Sequence, residues 1–217
     1  EGRGFPPGAI HIAVIDPGVG TDRRALALVT PSGVLVGPDN GLLSAALPDS
    51  AREDAWHGPV PIALPQETTA YVLEDPRYHR RPVSATFHGR DIFAPVAAHL
   101  SLGLDPRRLG PATSRIVGLP PFRAAVHADG SLAGRVLHID RFGNLITSVR
   151  ADQLQSSRVT VDILGSRVYG LAPNYGDREG LVALIGSAGY LEIASSGGSA
   201  ARELEAVPGD LMTVRPA

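Results

Sequence analysis

The chain has 217 residues, of which 43% are hydrophobic and 19% charged, a balance typical of one large or two small folded domains. Its 20 basic and 22 acidic residues nearly cancel, which argues against a nucleic-acid-binding surface. The lack of Cys and Lys excludes disulfides, a thiol nucleophile and a Schiff-base lysine, and no apolar run approaches the roughly 20 residues of a membrane helix.

The first hundred residues predict a mixed α/β region. Residues 9–15 form an apolar run rich in β-branched residues, which predicts a buried strand that ends in a turn at 16–20. The motif Pro31-Ser32-Gly33 predicts a hairpin between two further strands. The other predicted elements are a loop at 1–8, the hairpin strands 24–30 and 34–37, a helix at 41–47, a partly ordered excursion with one helix over 48–82, and a helix at 91–102 with Pro95 in its first turn.

The second half predicts an all-β region. Short runs of β-forming residues alternate with Gly, Asp and Asn turns, as in a compact barrel or sandwich. These predicted strands are 135–139, 145–149, 158–164, 181–185, 190–194 and 211–214. A cluster of prolines marks the boundary, so we expect an α/β domain at 1–104, a linker at 105–122 and a β-barrel domain at 123–217.

Five motifs have both a structural and a functional interpretation. Each contains turn-forming residues, and each also presents groups that catalysis or ligand binding uses. The third motif, for example, sets His88 among polar residues just before a predicted helix, where it suits acid–base chemistry. The motifs are DPGVGTDRR at 16–24, GPDNG at 37–41, TFHGRD at 86–91, DRFGN at 140–144 and GSAGY at 186–190.

Other site classes have little support in the sequence. We find no His-Glu-x-x-His motif and no close His pair, so no metal site is predicted. A Gly-x-Ser-x-Gly nucleophile elbow is also missing, which argues against a serine hydrolase.

Taken together and in this order, the motifs closely resemble the S-adenosylmethionine (SAM) hydrolases. This family is also called the SAM hydroxide adenosyltransferases and is related to the fluorinase and chlorinase enzymes. The resemblance covers nearly the whole chain through IHIAVIDPGVGTDRR, VGPDNGLL, SATFHGRDIFAPVAAHL, IDRFGNLITSV and GSAGYLEIA. It implies an N-terminal α/β domain, a C-terminal β-barrel and a homotrimer whose active sites lie between subunits.

The resemblance also implies an activity and a set of site residues. SAM and water would give adenosine and L-methionine, with SAM as substrate, no cofactor and no metal. The matching catalytic residues are Asp16, Arg23 and His88. Asp140 matches a position at the methionine amino group, Phe142 and Asn144 match positions at the adenine, and Ser187 lies near the methionine end. The remaining substrate-binding positions implied are Asp39, Asn40, Phe87, Tyr190, Glu192, Ser195 and Gly197.

The chain departs from the family at two places. Ala188 stands where the fluorinase has an Arg for the methionine carboxylate. Family members also begin with a strand and turn some 50 residues before the first motif. We therefore expect an α/β sheet that lacks the family's first strands, consistent with the small number of elements predicted for 1–104.

Three alternative functions remain open from the sequence. The first is a halogenase of the same fold, although His88-Gly89 differs from the Tyr-Ser or Tyr-Gly of those relatives. The second is a binding protein for adenosine or SAM without catalysis. The third is a metal-dependent hydrolase that uses Asp16, Asp39 and His88. With no membrane or nucleic-acid signal and no Cys, we expect a cytoplasmic enzyme.

Overall fold

The computed structural model describes residues 5–216, and the chain divides between Pro121 and Phe122 into two units. Residues 1–4 of the predicted opening loop lie outside the described residues. Within the part of the chain described, no helix has the length and apolar character that crossing a membrane requires.

The first unit contains a five-stranded sheet in the order β1-β3-β2-β5-β6 and a separate pair, β4 with β7. The β1–β3 pairing is parallel, whereas the other pairings described here are antiparallel. The predicted hairpin is present, and because Thr30 pairs with Gly33 its turn has two residues rather than the three of Pro31-Ser32-Gly33. The strands are β1 (Ala9–Ile12), β2 (Ala25–Thr30), β3 (Gly33–Pro38), β4 (Val60–Ala63), β5 (Thr69–Val72), β6 (Ala112–Thr113) and β7 (Arg115–Gly118).

Strand β2 carries apolar side chains on both of its sides, and each face of the sheet packs against an apolar cluster. Ala25 and Ala27 face a cluster built around the helix α1 (Ala94–Ser101). Leu26 and Leu28 face the opposite cluster, formed with residues of β4, β7 and the segment 42–55. Successive residues of a strand point to opposite faces, so a fully apolar strand predicts this burial on two sides. The α/β interpretation of this region is confirmed.

Several local predictions for the first unit are wrong in detail. The first strand ends at Ile12 rather than residue 15, and the helix expected at 41–47 is a short 3-10 helix, Leu42–Ala46. The excursion at 48–82 holds the strands β4 and β5 and two 3-10 helices, Asp49–Ala55 and Pro76–Tyr78. The expected linker at 105–122 includes a 3-10 helix, Pro106–Arg108, and two strands that pair within this unit.

The second unit is a nearly closed antiparallel barrel in the order β12-β11-β15-β9-β10-β14-β13, with β8 added beside β9. A bridge between Leu171 and Ala183 links the two ends of this order. Leu145, Leu191 and Ile193 are fully buried in its core. The strands are β8 (Ala125–Val126), β9 (Leu132–Ile139), β10 (Leu145–Arg150), β11 (Val159–Ile163), β12 (Ser166–Tyr169), β13 (Leu181–Ile185), β14 (Tyr190–Ser195) and β15 (Leu211–Pro216). The all-β prediction is confirmed, with one short 3-10 helix, Ala151–Gln153, and one short helix, α2 (Ala200–Glu203), added.

Candidate active site

Three side chains that are distant in sequence meet in the first unit. Nε of Arg23 lies 3.0 and 3.1 Å from the two carboxylate oxygens of Asp16, and its Nη2 lies 2.5 Å from Oδ2. The same Nη2 lies 2.6 Å from Nδ1 of His88. The structure therefore brings together the three residues that the family resemblance marks as catalytic.

Asp16 and Arg23 lie in the connection between β1 and β2, and His88 is the N-cap residue of the helical turn Gly89–Phe93. Asp16 follows β1, Arg23 comes shortly before β2, and His88 comes shortly before α1. Gly20 has a φ of 81°, and a Cβ atom at this position would lie 2.7 Å from the carbonyl oxygen of Ala85. A residue without a side chain is therefore needed for the turn after Asp16 to lie against the segment that leads to His88.

Burial controls the electrostatics of this cluster. The side chains of Arg23 and Asp16 are only 9% and 6% exposed, and the guanidinium carbon lies 5.3 Å from the centre of the Phe93 ring. Desolvation lowers the pKa of His88, and the positive charge of Arg23 lowers it further, whereas the Asp16 and Asp91 carboxylates act in the opposite direction. A neutral imidazole is the favoured form.

The hydrogen-bond inventory fixes the role of each group. Arg23 can only donate, so Nδ1 of His88 is the acceptor and the neutral ring carries its proton on Nε2. Nη1 of Arg23 donates to the carbonyl oxygen of Arg24 at 3.3 Å, which leaves one guanidinium N–H without a partner among residues 5–216. Oδ1 of Asp16 accepts one bond and retains a lone pair. The cluster thus offers one carboxylate acceptor and two donors to a bound molecule.

Asp91, the last residue of the third motif, is a fully buried carboxylate close to this cluster. Its oxygens accept the backbone N–H of Ser84 at 2.9 Å and Nε of Arg90 at 2.7 Å. These hydrogen bonds hold the pKa of Asp91 well below its usual range. The residue lies within a π-helical turn, Gly89–Phe93, which precedes α1. Such turns are wider than α-helical ones and are frequent at functional sites.

Asp39 and Asn40, both predicted to bind substrate, make hydrogen bonds to protein groups. Asp39 is 8% exposed; Oδ2 accepts from Arg24 at 2.6 and 2.9 Å, and Oδ1 accepts the backbone N–H of Val117 at 2.8 Å. Nδ2 of Asn40 donates to the carbonyl oxygen of Ile15 at 2.8 Å. Among residues 5–216, no group of three or more metal-ligating side chains is found, and Asp39 is not joined to the cluster as a metal-dependent hydrolase would require.

Phe87 lies at the surface beside the cluster. Its side chain is 57% exposed, and the guanidinium carbon of Arg90 stands 5.0 Å from the centre of its ring. A groove of about 1040 Å³ elsewhere in this unit is lined by other residues, including Leu35 and Leu47. None of the three clustered side chains lines that groove, so its volume adds nothing to the description of the site.

The turn between β9 and β10 presents three of the predicted residues of the second unit. Oδ1 of Asp140 accepts the backbone N–H groups of Phe142 and Asn144, and Oδ2 accepts Nδ2 of Asn144 at 2.9 Å. These bonds lower the pKa of Asp140, although its desolvation opposes them as the largest single effect. Phe142 is left 72% exposed, as an unpartnered aromatic face. Hydrogen bonds within the loop therefore order it, while the Phe142 ring is exposed and Asn144 is buried.

The other predicted residues of this unit lie on or next to β14. Tyr190 begins the strand and its hydroxyl accepts from Arg150 at 3.1 Å, while Ser187 and Gly197 are exposed in the flanking turns and Ser195 is half-buried at the strand end. Glu192 is 9% exposed and accepts the hydroxyl of Tyr175 at 2.8 Å. Sequence patterns did not indicate Tyr175, because its contact comes from a loop between β12 and β13 with no periodicity.

Two family models match this chain. The description of the first is the SAM hydroxide adenosyltransferase N-terminal domain, over residues 2–110, and that of the second is the corresponding C-terminal domain, over residues 134–213. Together they cover most of the sequence and both structural units.

Individual relatives agree with this match. Proteins named (R)-S-adenosyl-L-methionine hydrolase are 39% identical in Salinispora arenicola, over 97% of this chain and 76% of theirs, and 41% identical in Thermus thermophilus, over 92% and 73%. A crystal structure of an uncharacterised conserved protein from Thermotoga maritima is 32% identical, with a TM-score of 0.68 over 97% of this chain and 78% of that chain. A fluorinase from Actinopolyspora mzabensis is more distant, at 26% identity over 92% and 74%.

Proposed function

Because this chain belongs to the SAM hydroxide adenosyltransferase family, we propose that it hydrolyses SAM to adenosine and L-methionine by attack of water or hydroxide at C5′. The observation that carries this proposal is the cluster of the buried Asp16–Arg23 pair with the half-buried His88. It places a carboxylate acceptor beside a fixed guanidinium and a neutral imidazole, groups that can orient an oxygen nucleophile and take its proton.

The leaving group of this reaction needs little assistance from the protein. SAM is a sulfonium cation, so the electron pair of the breaking C5′–S bond goes to sulfur and methionine departs as a neutral thioether. No general acid is needed there. The enzyme's task is to hold an oxygen in line with that bond, roughly 3–3.5 Å from C5′.

The proton inventory of the cluster supports one assignment of roles. A water at the free lone pair of Oδ1 donates a hydrogen bond to Asp16, while Nε2–H of His88, on the ring edge away from Arg23, is a separate donor. As its oxygen bonds to C5′, the water becomes strongly acidic and its proton passes to the Asp16 carboxylate. His88 cannot take the proton at Nδ1, because that lone pair accepts from Arg23.

The alternative functions have weaker support. The hydrolase relatives are 39% and 41% identical and the fluorinase 26%, and His88-Gly89 departs from the halogenase pattern. A metal bound by Asp16 and by Nδ1 of His88 would have to displace the Arg23 N–H that this ring nitrogen accepts, and it would lie beside the positive charge of Arg23. A binding protein without catalysis would not need a shielded acid–base cluster.

Product analysis in labelled water tests the proposal. We expect chromatography of SAM incubated with the protein in H₂¹⁸O to show adenosine that carries ¹⁸O at its 5′-hydroxyl, together with methionine. Halogenated adenosine in the presence of chloride or fluoride would instead identify a halogenase. Tight adenosine binding without turnover would identify a binding protein, and loss of activity with a chelator would identify a metal enzyme.

Finer features of the function are part of the same proposal. The substrate epimer is (R)-SAM, supported by the names of the relatives, and separate assays of the two sulfonium epimers test this. The assembly is a homotrimer, and Asp140, Phe142 and Asn144 bind the nucleoside and amino groups of SAM. The absence of a cofactor and a cytoplasmic location stay predictions from the sequence.

A further inference from the structure

The segment between β1 and Asp16 is extended and is held at alternate residues. The backbone N–H of Ala13 donates to the carbonyl oxygen of Val36 at 2.9 Å, which continues the contact with β3 beyond the end of β1. Two residues later, the carbonyl oxygen of Ile15 accepts Nδ2 of Asn40 at 2.8 Å. Asp16 is the next residue, so this is the last of these contacts before the carboxylate.

The end of β3 lies against this segment at backbone distance. A Cβ atom on Gly37 would stand 2.3 Å from the carbonyl oxygen of Ala13, so the two backbones touch where a side chain would separate them. Such close approach is a position that requires glycine. It brings the turn that follows β3 within reach of Ile15.

That turn is itself fixed on its other side. Oδ1 of Asn40 accepts the backbone N–H of Leu42 at 3.2 Å, and Asp39 is bound by Arg24 and by the backbone of β7. Asn40 therefore uses its acceptor to order its own turn and its donor to hold the neighbouring segment. Each end of the Asn40 side chain therefore makes one hydrogen bond within the protein.

We infer that Asn40 is a positioning residue for Asp16, through the carbonyl of Ile15, rather than a substrate ligand. The inference rests on the proposed function, in which the direction of the Asp16 carboxylate decides whether it meets both Arg23 and the water. Without the Asn40 donor, the last residue before Asp16 loses its tie to the sheet. Misplacement of a reacting group by about 1 Å can cost on the order of 10²-fold in rate.

The kinetic test compares Asn40→Ala with a matched control, Ser44→Ala. Ser44 is buried in the same segment and bonds to Gly41 and Leu119, but it makes no hydrogen bond to residues 13–16. We expect Asn40→Ala to lower kcat about 10- to 100-fold with KM changed less than about threefold, and Ser44→Ala to change kcat less than about threefold. A rise in KM with kcat unchanged would make Asn40 a substrate ligand and overturn the inference.

A double variant separates positioning from a general structural effect. If Asn40 acts through Asp16, then Asn40→Ala added to Asp16→Asn lowers the remaining activity by less than about twofold. An equal loss in both backgrounds would overturn the inference. Should Asn40→Ala fail to fold, Asn40→Asp is the second variant, because it keeps the acceptor for Leu42 and lacks the donor to Ile15.

A measurement without turnover distinguishes failure of this inference from failure of the proposed function. In protein labelled with ¹³C at the Asp carboxyl carbons, the Asp16 signal is identified by its loss in Asp16→Asn. We expect its chemical shift to change in Asn40→Ala and to match the unmodified protein in Ser44→Ala. An unchanged Asp16 signal in Asn40→Ala overturns the positioning role, whether or not the protein hydrolyses SAM.

Discussion

Arg23 joins the two other members of the cluster through a single guanidinium group. Its Nε and Nη2 bind Asp16 side by side, and Nη2 also donates to His88. A planar fork with five donors can make these contacts at once, whereas an ammonium group is a point charge on a flexible stem. Charge alone is therefore not what this position requires.

Replacement of Arg23 by Lys tests that requirement. We expect Arg23→Lys to lower kcat about 10²- to 10⁴-fold, because the Lys cannot bind both oxygens of Asp16 and still reach His88. Steady-state hydrolysis of SAM provides the measurement. Arg77→Lys is the matched control, since Arg77 binds Asp75 in the same side-by-side way but is 68% exposed. Equal activity of both variants would contradict the role of the guanidinium geometry.

Protonation of His88 should determine the pH below which hydrolysis slows. Burial and Arg23 hold the pKa of His88 below its ordinary value of 6.5, so we expect kcat/KM to stay level through pH 6.5 and to fall only below it. Protonation would place a second donor at Nδ1 facing Arg23 and break the contact. A profile of kcat/KM from pH 5 to 8 measures this, and an acid limb centred above pH 6.5 would contradict it.

The same pKa shift has a consequence for stability. The unfolded chain binds a proton at His88 at higher pH than the folded chain, so this group favours the unfolded state as the pH falls. Above about pH 6.5 this shift leaves the free energy of unfolding unchanged. As the pH drops toward the lowered pKa, the shift destabilises the folded state.

At the scale of elements, the contact of β3 with the segment after β1 depends on Gly37. We expect Gly37→Ala to destabilise the fold by about 1–3 kcal/mol and to reduce hydrolysis, because its Cβ would meet the Ala13 carbonyl and push Asp16 outward. Denaturant unfolding and SAM turnover measure the two effects.

Gly176 provides the control for that prediction. A Cβ at Gly176 meets its nearest atom at an ordinary 3.7 Å, so Gly176→Ala should change the free energy of unfolding by less than about 1 kcal/mol. Similar behaviour of the two alanine variants would mean that β3 and the segment after β1 can separate without cost.

Elements with a local pattern were predictable, and those defined by distant contacts were not. Apolar spacing placed the helix α1 correctly, but the π turn before it depends on a buried charge at Asp91 that no periodicity reveals. The proline-rich stretches gave no strand pattern for β4 and β7. These two strands are stabilised by pairing with each other across more than fifty residues. Alternating and fully apolar strands of the barrel were visible because burial imposes their pattern.

The site was predictable to a similar degree. Motifs and their family resemblance selected Asp16, Arg23 and His88, which lie together in the structure. Their hydrogen-bond directions, and hence which group accepts and which donates, needed three-dimensional distances. The engagement of Asn40 with Ile15 and of Tyr175 with Glu192 was hidden for the same reason, since each joins residues without a shared local pattern.

At the scale of the whole molecule, the predicted site residues are divided between the two units. The acid–base cluster belongs to the first unit, and Asp140 and its neighbours belong to the second. The proposed homotrimer with sites between subunits implies that each site takes its two halves from different chains. Two inactive variants, one altered in the first unit and one in the second, should then restore activity when they assemble together.

Co-expression of Asp16→Asn with Asp140→Ala tests this arrangement. In randomly assembled trimers, a site combines an unaltered first unit with an unaltered second unit about one time in four. We therefore expect about a quarter of the unmodified activity. The control pairs Asp16→Asn with His88→Ala, which both damage the first half and should restore nothing. Sites built within one chain would leave both mixtures inactive.

The ion pair between Asp16 and Arg23 affects how strongly the cluster attracts a charged substrate. Asp16 and Arg23 cancel each other and His88 is neutral, so together they present a local dipole and no net charge to an incoming sulfonium cation. Such a dipole has a short range, and added salt has little long-range attraction there to screen. Long-range attraction of the cation must therefore come from charges outside these three side chains, which act on the substrate only at close distance.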